Sequence, residues 1–249
     1  MKILGIIPAR FDSSRFPGKP LVDIAGKSMI RRVYEQAIQS SSLSKVVIAT
    51  DDQRIFEHVK DFGAEVITTS NKHLSGTDRC GEVALHYPEF DILVNIQGDE
   101  PLIDPRQIDL LCSCFENADT SIATLVKKIK SAEELFNENT PKVVPNNKLE
   151  AIYFSRSPIP FQRGLSTEQW LDSYSFYKHI GIYAFRNAIL SEITQLPVSS
   201  LEKAEALEQL RWIENGYKIK VAITELESQA IDTPEDLQKI LDIISHEAS

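Results

Sequence analysis

The chain has no run of the roughly 20 apolar residues that a membrane span requires, so membrane insertion is not expected. Its amino terminus, Met1-Lys2-Ile3-Leu4-Gly5-Ile6-Ile7-Pro8, is too short in apolar length to read as a secretory signal. Basic clusters are also missing: 27 Lys and Arg stand against 36 Asp and Glu, and the formal charge of −9 argues against nucleic acid as a partner. Cysteine is scarce. Cys80, Cys112 and Cys114 suit a reducing compartment, and a cytoplasmic protein is expected. Cys112 and Cys114 fall in an apolar helical run, where residues two apart face different sides, so zinc is not expected either. Two nucleotide-binding fingerprints are absent. There is no G-x-G-x-x-G, and Gly26-Lys27-Ser28 imitates the end of a P-loop whose earlier glycine would fall at Leu21.

What is present reads as an α/β chain. Its 249 residues fit one large domain spanning 1–249, or one domain with a modest insertion. Lys2–Ile7, Val46–Thr50, Ala64–Thr68 and the run from Ile92 to Ile96 are short and apolar, as strands buried in a parallel sheet are. Helical stretches follow them at Met29–Ser40, Gln53–Phe62, Arg79–Tyr87 and Pro105–Glu116, and a further strand is predicted at Ser121–Val126. This alternation predicts a mostly parallel sheet with right-handed crossovers. The pattern then changes. Lys142–Val144, Leu149–Phe154 and His179–Phe185 read as an antiparallel subregion over about 140–195, a lid or a subunit contact, with a long loop at Ser155–Tyr177. Ser199–Gly216 reads as one helix, Ile219–Ala222 as a late strand, and Thr233-Pro234-Glu235-Asp236 as the capped start of a last helix.

Chemistry is expected at three places. Arg10, Arg15 and Lys19 space three cations along a Pro/Gly/Ser loop just past the first strand, which suits a polyphosphate and suits a solvated loop equally. Gln97-Gly98-Asp99-Glu100-Pro101 ends the central strand, where open α/β sheets bind ligands, although an acidic turn would read the same way. In Ser75-Gly76-Thr77-Asp78-Arg79 the hydroxyls could contact a base or ribose, or Thr77 or Asp78 could cap the following helix.

Taken in order, these motifs resemble one family. Pro8-Ala9-Arg10, Ser14-Arg15-Phe16-Pro17-Gly18-Lys19-Pro20, Ser75-Gly76-Thr77-Asp78-Arg79, Asn95-Ile96-Gln97-Gly98-Asp99-Glu100-Pro101, Lys142-Val143-Val144, Tyr153-Phe154-Ser155-Arg156, Lys178-His179-Ile180-Gly181-Ile182-Tyr183, Leu207-Glu208-Gln209 and Asp232-Thr233-Pro234 are similar to those of 3-deoxy-manno-octulosonate (KDO) cytidylyltransferases over almost the whole chain. The resemblance implies a Rossmann-like nucleotide-diphosphosugar-transferase fold and a homodimer. It implies CTP and KDO as substrates, CMP-KDO and pyrophosphate as products, and a role in lipopolysaccharide assembly. Pro8, Ala9, Arg10, Arg15, Lys19, Ser75, Gly76 and Thr77 would bind the nucleotide, with Arg10, Lys19 and Asp99 in catalysis. Asp99 and Asp232 would hold Mg2+. Gln97, Arg156, His179, Tyr183, Glu208 and Gln209 would bind the sugar. An amino-substituted KDO fits the same pattern. By the residues alone, Arg156 could instead bridge within its own loop, His179 could be a core histidine, and Asp232 could be acidic decoration before the cap.

Overall fold

The computed structural model describes residues 1–12, 16–227 and 229–247. The chain forms two compact units, Met1–Asp109 with Glu227–Ser249, and Leu110–Leu226.

The first unit holds β1 (Ile3–Ala9), a two-residue hairpin of β2 (Asp23–Ile24) and β3 (Lys27–Ser28), then β4 (Lys45–Thr50), β5 (Val66–Thr68) and β6 (Ile92–Asn95). Its main strands lie in the order β5-β4-β1-β6, all parallel. The middle strands are buried on both faces, which is why they read as unbroken apolar runs. Helices Met29–Ala37, Gln53–Asp61 and Gly76–His86 make the crossovers. The chain winds outward from β1 through β4 to β5, then returns to the other side of β1 with β6. That reversal opens a crevice beyond the carboxyl ends of β1 and β6. The carboxy-terminal helix Pro234–Glu247 belongs to this unit: Ile231 and Ile240 pack with Ile24 and Met29 in one buried cluster.

β1 does not stop at Ile7 as expected; it runs through Pro8 to Ala9. A proline inside a central strand is normally excluded because it cannot donate to the ladder. Here β6 pairs with β1 only as far as Ile6, so the edge of Pro8 that lacks N–H faces the turn after β6 rather than a strand. Its carbonyl faces Gly98 in that turn.

The second unit contains β7 (Ile122–Lys128), β8 (Lys142–Pro145), β9 (Ala151–Ser155), β10 (Tyr177–Arg186) and β11 (Ile219–Ile223). β7 pairs antiparallel with β10 and parallel with β11, and β8 pairs antiparallel with both β10 and β9. Two expectations are corrected. The helix read over Ser199–Gly216 is two helices, Ser200–Glu205 and Gln209–Glu214, because Ala206 turns left-handed at φ 49°. Ser155 and Arg156 hold that break in place, through Ser155 Oγ and the Arg156 N–H donating to the Glu205 carboxylate at 2.7 and 2.8 Å. The stretch expected as loop from Ser155 to Tyr177 carries a short helix, Trp170–Ser173, and Trp170 and Phe176 are buried against Ile129 and Leu135. Among the described residues, no helix is long and apolar enough to cross a membrane.

Candidate active site

The crevice of the first unit holds a cavity of about 610 Å3 lined by residues from both strand ends, including Pro8, Ala9, Arg10, Lys19, Gly76, Gln97 and Asp99. Five of the eight residues expected to bind nucleotide, Pro8, Ala9, Arg10, Lys19 and Gly76, therefore line it, and Ser75 and Thr77 flank Gly76. Arg15 lies outside the described residues.

The cation loop is shaped before Lys19 is reached. Gly18 sits at φ 73°, and its N–H donates to the Phe11 carbonyl at 2.9 Å, drawing the loop back onto itself. The Phe11 ring fills the space a Gly18 side chain would need, and the Arg54 guanidinium covers one face of that ring. Lys19 then opens a 3-10 turn over Lys19–Leu21. Its Nζ donates to Asp99 at 2.7 Å and to Asp232 at 3.2 Å. Asp232 reaches this point because the Ile231 N–H donates to the Asp99 carbonyl at 2.9 Å.

This arrangement bears on two open readings. Asp99 is not on a solvated acidic turn, since it is paired with a largely buried ammonium and its neighbour Glu100 is buried. The Asp232 side chain takes no part in the cap that follows it, although its backbone N–H donates to the Asp236 carboxylate at 3.3 Å. Thr233 Oγ1 accepts from the Asp236 N–H at 3.3 Å, while the Asp236 carboxylate accepts from the Thr233 N–H at 3.1 Å, so the cap is built without the Asp232 carboxylate. Two carboxylates converging on one cation form a hard-oxygen donor set. Mg2+ uses one or two such carboxylates and completes its shell with substrate phosphate and water, so this pair fits the ion. Among the described residues, no larger cluster of metal-ligating side chains is present.

Arg10 is engaged otherwise than a free phosphate ligand would be. Its Nη2 donates to the His73 carbonyl and, at 3.3 Å, to that of Ser75, while Nη1 donates to that of Leu74 at 3.3 Å. It ties the 73–75 turn to the end of β1 and forms a wall of the cavity. The helix expected to start at Arg79 starts at Gly76, and its cap is Ser75 rather than Thr77 or Asp78. Ser75 Oγ accepts from the Asp78 N–H at 3.0 Å, and the Asp78 carboxylate accepts from the Ser75 N–H at 3.1 Å. The Ser75 hydroxyl is thus committed to the cap, and Thr77 is buried.

The residues expected at the sugar lie in the second unit, apart from Gln97, which lines the cavity of the first. Arg156 donates to the carbonyls of Glu205, Ala206 and Glu138 at 2.7, 3.3 and 3.0 Å, pinning the chain break just ahead of Glu208. Among the described residues it makes no bridge within its own loop; its guanidinium meets backbone carbonyls. Glu208 is the N-cap residue of the helix Gln209–Glu214 instead of lying inside one long helix, so the 100° separation of a continuous helix does not apply to it and Gln209. Tyr183 is buried, its ring 5.1 Å from that of His179 and 5.1 Å from that of Trp212. Burial, and then the charge of Glu208, push the Tyr183 hydroxyl well above its ordinary value. His179 is wedged between Phe154 and Tyr183, and burial pushes its pKa down to about 3. It is neutral at physiological pH.

The chain matches the family model described as Cytidylyltransferase over residues 4–219. It is 57% identical to a 3-deoxy-manno-octulosonate cytidylyltransferase of Parabacteroides distasonis, covering 99% of each chain. It is 55% identical to one of Bacteroides thetaiotaomicron, covering 96% of each. The chain belongs to the 3-deoxy-manno-octulosonate cytidylyltransferase family. A solved CMP:2-keto-3-deoxy-manno-octonic acid synthetase, complexed with CTP, superposes at a TM-score of 0.92 with 44% identity, over 99% of this chain and all of that one.

Three residues of this cytidylyltransferase were given no role by the sequence. Arg79 is fully buried, donates to Thr69 Oγ1 and pairs with Asp51 at 3.1 Å. Glu205 holds Ser155 and Arg156. Thr124, fully buried in β7, lies 2.9 Å from His179 Nε2. The one signal for Thr124 is a hydroxyl standing alone inside an apolar strand.

Proposed function

We propose that the protein transfers CMP from CTP to the anomeric hydroxyl of KDO or an amino-substituted KDO, releasing pyrophosphate, for lipopolysaccharide assembly. The observation that carries this reading is the convergence of Asp99 and Asp232 on Lys19 at the switch-point cavity. It stands in a chain whose relatives act as cytidylyltransferases on this sugar acid.

In the reaction the sugar's anomeric oxygen bonds to the α-phosphorus as the bond to the α–β bridging oxygen breaks, and pyrophosphate leaves. Such transfers depend on positioning and charge compensation more than on covalent participation. The backbone at Pro8, Ala9 and Gly98 lets the nucleotide approach the sheet closely. The 73–75 turn, fixed by Arg10, forms the wall against which the cytidine rests. Lys19 donates to triphosphate oxygens once substrate offers them. Mg2+, held by Asp99 and Asp232, would supply charge neutralisation of the triphosphate and the departing pyrophosphate. In the second unit, His179, Tyr183, Glu208 and Gln209 provide the polar contacts for the sugar, in a wall stiffened by Trp212 and Phe185. A cytoplasmic homodimer is the assembly we assign, to be tested by sedimentation.

The deciding experiment is pyrophosphate release from CTP and Mg2+ with KDO, 8-amino-KDO, sialic acid or no sugar. Release dependent on KDO or its amino form is expected, and release with sialic acid alone would overturn the sugar assignment. Asp99→Asn and Asp232→Asn should each lower turnover on the order of 100-fold and raise the Mg2+ requirement. Full activity of Asp99→Asn at low Mg2+ would remove the metal role.

A further inference from the structure

The strand pairing of β7 with β10 is interrupted at one place. Leu125 faces Ile180, but the next β7 residue, Thr124, faces Tyr183, leaving Gly181 and Ile182 bulged out of register. A bulge of this kind leaves strand carbonyls without ladder partners. At the bulge Thr124 Oγ1 lies 2.7 Å from the Ile182 carbonyl and 3.2 Å from that of Ile180. The same oxygen lies 2.9 Å from His179 Nε2.

A hydroxyl has one hydrogen. Two carbonyls already claim it, so toward His179 the oxygen can only accept. If Nε2 were bare, three acceptors would compete for one hydrogen and at least two would go without it; with a proton on Nε2 only the two carbonyls compete. This count favours the neutral ring with its proton on Nε2 and a lone pair on Nδ1. Nδ1 has no hydrogen-bond partner among the described residues, and the side chain is only partly buried. The two flanking rings, Phe154 edge-on at 5.3 Å and Tyr183 at 5.1 Å, supply no countercharge that would favour an imidazolium.

We propose that Thr124 is a positioning residue for sugar selection: it locks His179 as the Nε2–H tautomer, so that Nδ1 accepts a hydroxyl of the sugar acid and repels its carboxylate. This rests on the reading that His179 faces the sugar. Thr124 itself touches no substrate. It acts by joining the bulge, and hence the ring's position, to the ring's protonation pattern.

The test is nitrogen NMR on the full chain labelled with 15N-histidine, with the His179 signals assigned through His179→Gln. The wild-type protein should show one neutral ring protonated on Nε2, and adding KDO should shift Nδ1 while leaving it unprotonated. A proton found on Nδ1, in the free protein or after KDO is added, overturns the proposal; this readout needs no variant at Thr124. Thr124→Val should mix the tautomers and raise the KM for KDO about tenfold with the KM for CTP unchanged. Thr124→Ser should restore both. Unchanged KDO kinetics in a folded Thr124→Val with mixed tautomers would overturn the selection role. If the wild-type protein makes no product from KDO yet shows the Nε2–H ring, the reading of the site fails and the sugar half of the proposal with it. Thr124's hold on the ring would then stand by itself.

Discussion

Lys19 Nζ donates to the Asp99 carboxylate across 2.7 Å, and the same ammonium reaches Asp232 at 3.2 Å. The protein's own cation thus occupies the ground between two carboxylates that would otherwise repel each other. It is also a competitor for any ion attracted to them. Lys19→Gln should lower kcat/KM for CTP on the order of 100- to 1,000-fold, the cost of removing one charged donor from a phosphoryl-transfer site. At the same time the free protein should bind Mn2+ more tightly by calorimetry, because the competing charge is gone. Unchanged Mn2+ affinity would mean that Lys19 does not contest the site.

Gly98 is irreplaceable for a steric reason. A Cβ there would stand 2.5 Å from the Pro8 carbonyl oxygen, a backbone atom that cannot swing away. Gly98→Ala should cost about 1–3 kcal/mol in urea unfolding at constant m-value, and should weaken CTP binding as the crevice is pushed open. Gly76→Ala is the control. Its Cβ would meet Pro8 at 3.5 Å, an ordinary contact, so stability should barely change.

Ser75→Ala removes the hydroxyl that caps the helix Gly76–His86. A loss of about 1 kcal/mol is expected, whether or not nucleotide is present. A selective rise in KM for CTP with no loss of stability would return Ser75 to the role of a base or ribose contact.

His179 makes stability pH-dependent. Its folded value of about 3 lies below the ordinary 6.5, so the unfolded chain takes up the proton first as the pH falls. The stability held by the neutral ring is complete above about pH 6.5 and is lost as the pH drops from there toward 3. His179→Gln should flatten the dependence of the unfolding free energy over that window. An unchanged slope would show that the ring titrates normally in the folded chain.

The sheet of the first unit was legible because strands buried on both faces carry unbroken apolar runs, and the start of the last helix because Thr233 is an ordinary cap. Pro8 misled, since the rule against proline in a central strand has an exception where the neighbouring strand has already ended. Ala206 could not be seen, because nothing in an alanine announces a left-handed turn; Ser155 and Arg156, about 50 residues away, impose it. Arg10 and Arg156 read as anion ligands by residue type, and in the fold their guanidinium groups bind backbone carbonyls. The meeting of Asp99 and Asp232 has no local signature: they lie 80 and 213 residues from the lysine they share. Only the ordered resemblance to a family pointed to it.

The first unit is made from two pieces of chain with the whole of Leu110–Leu226 between them. On the ribosome, its sheet is translated early, but Ile231, Asp232 and the helix Pro234–Glu247 leave the tunnel only after the whole of Leu110–Leu226. The nascent chain must therefore wait with Ile24 and Met29 uncovered and Lys19 paired on one side only. The Lys19–Asp232 contact can therefore form only once the whole second unit has been translated, and a product cut short within that unit lacks it.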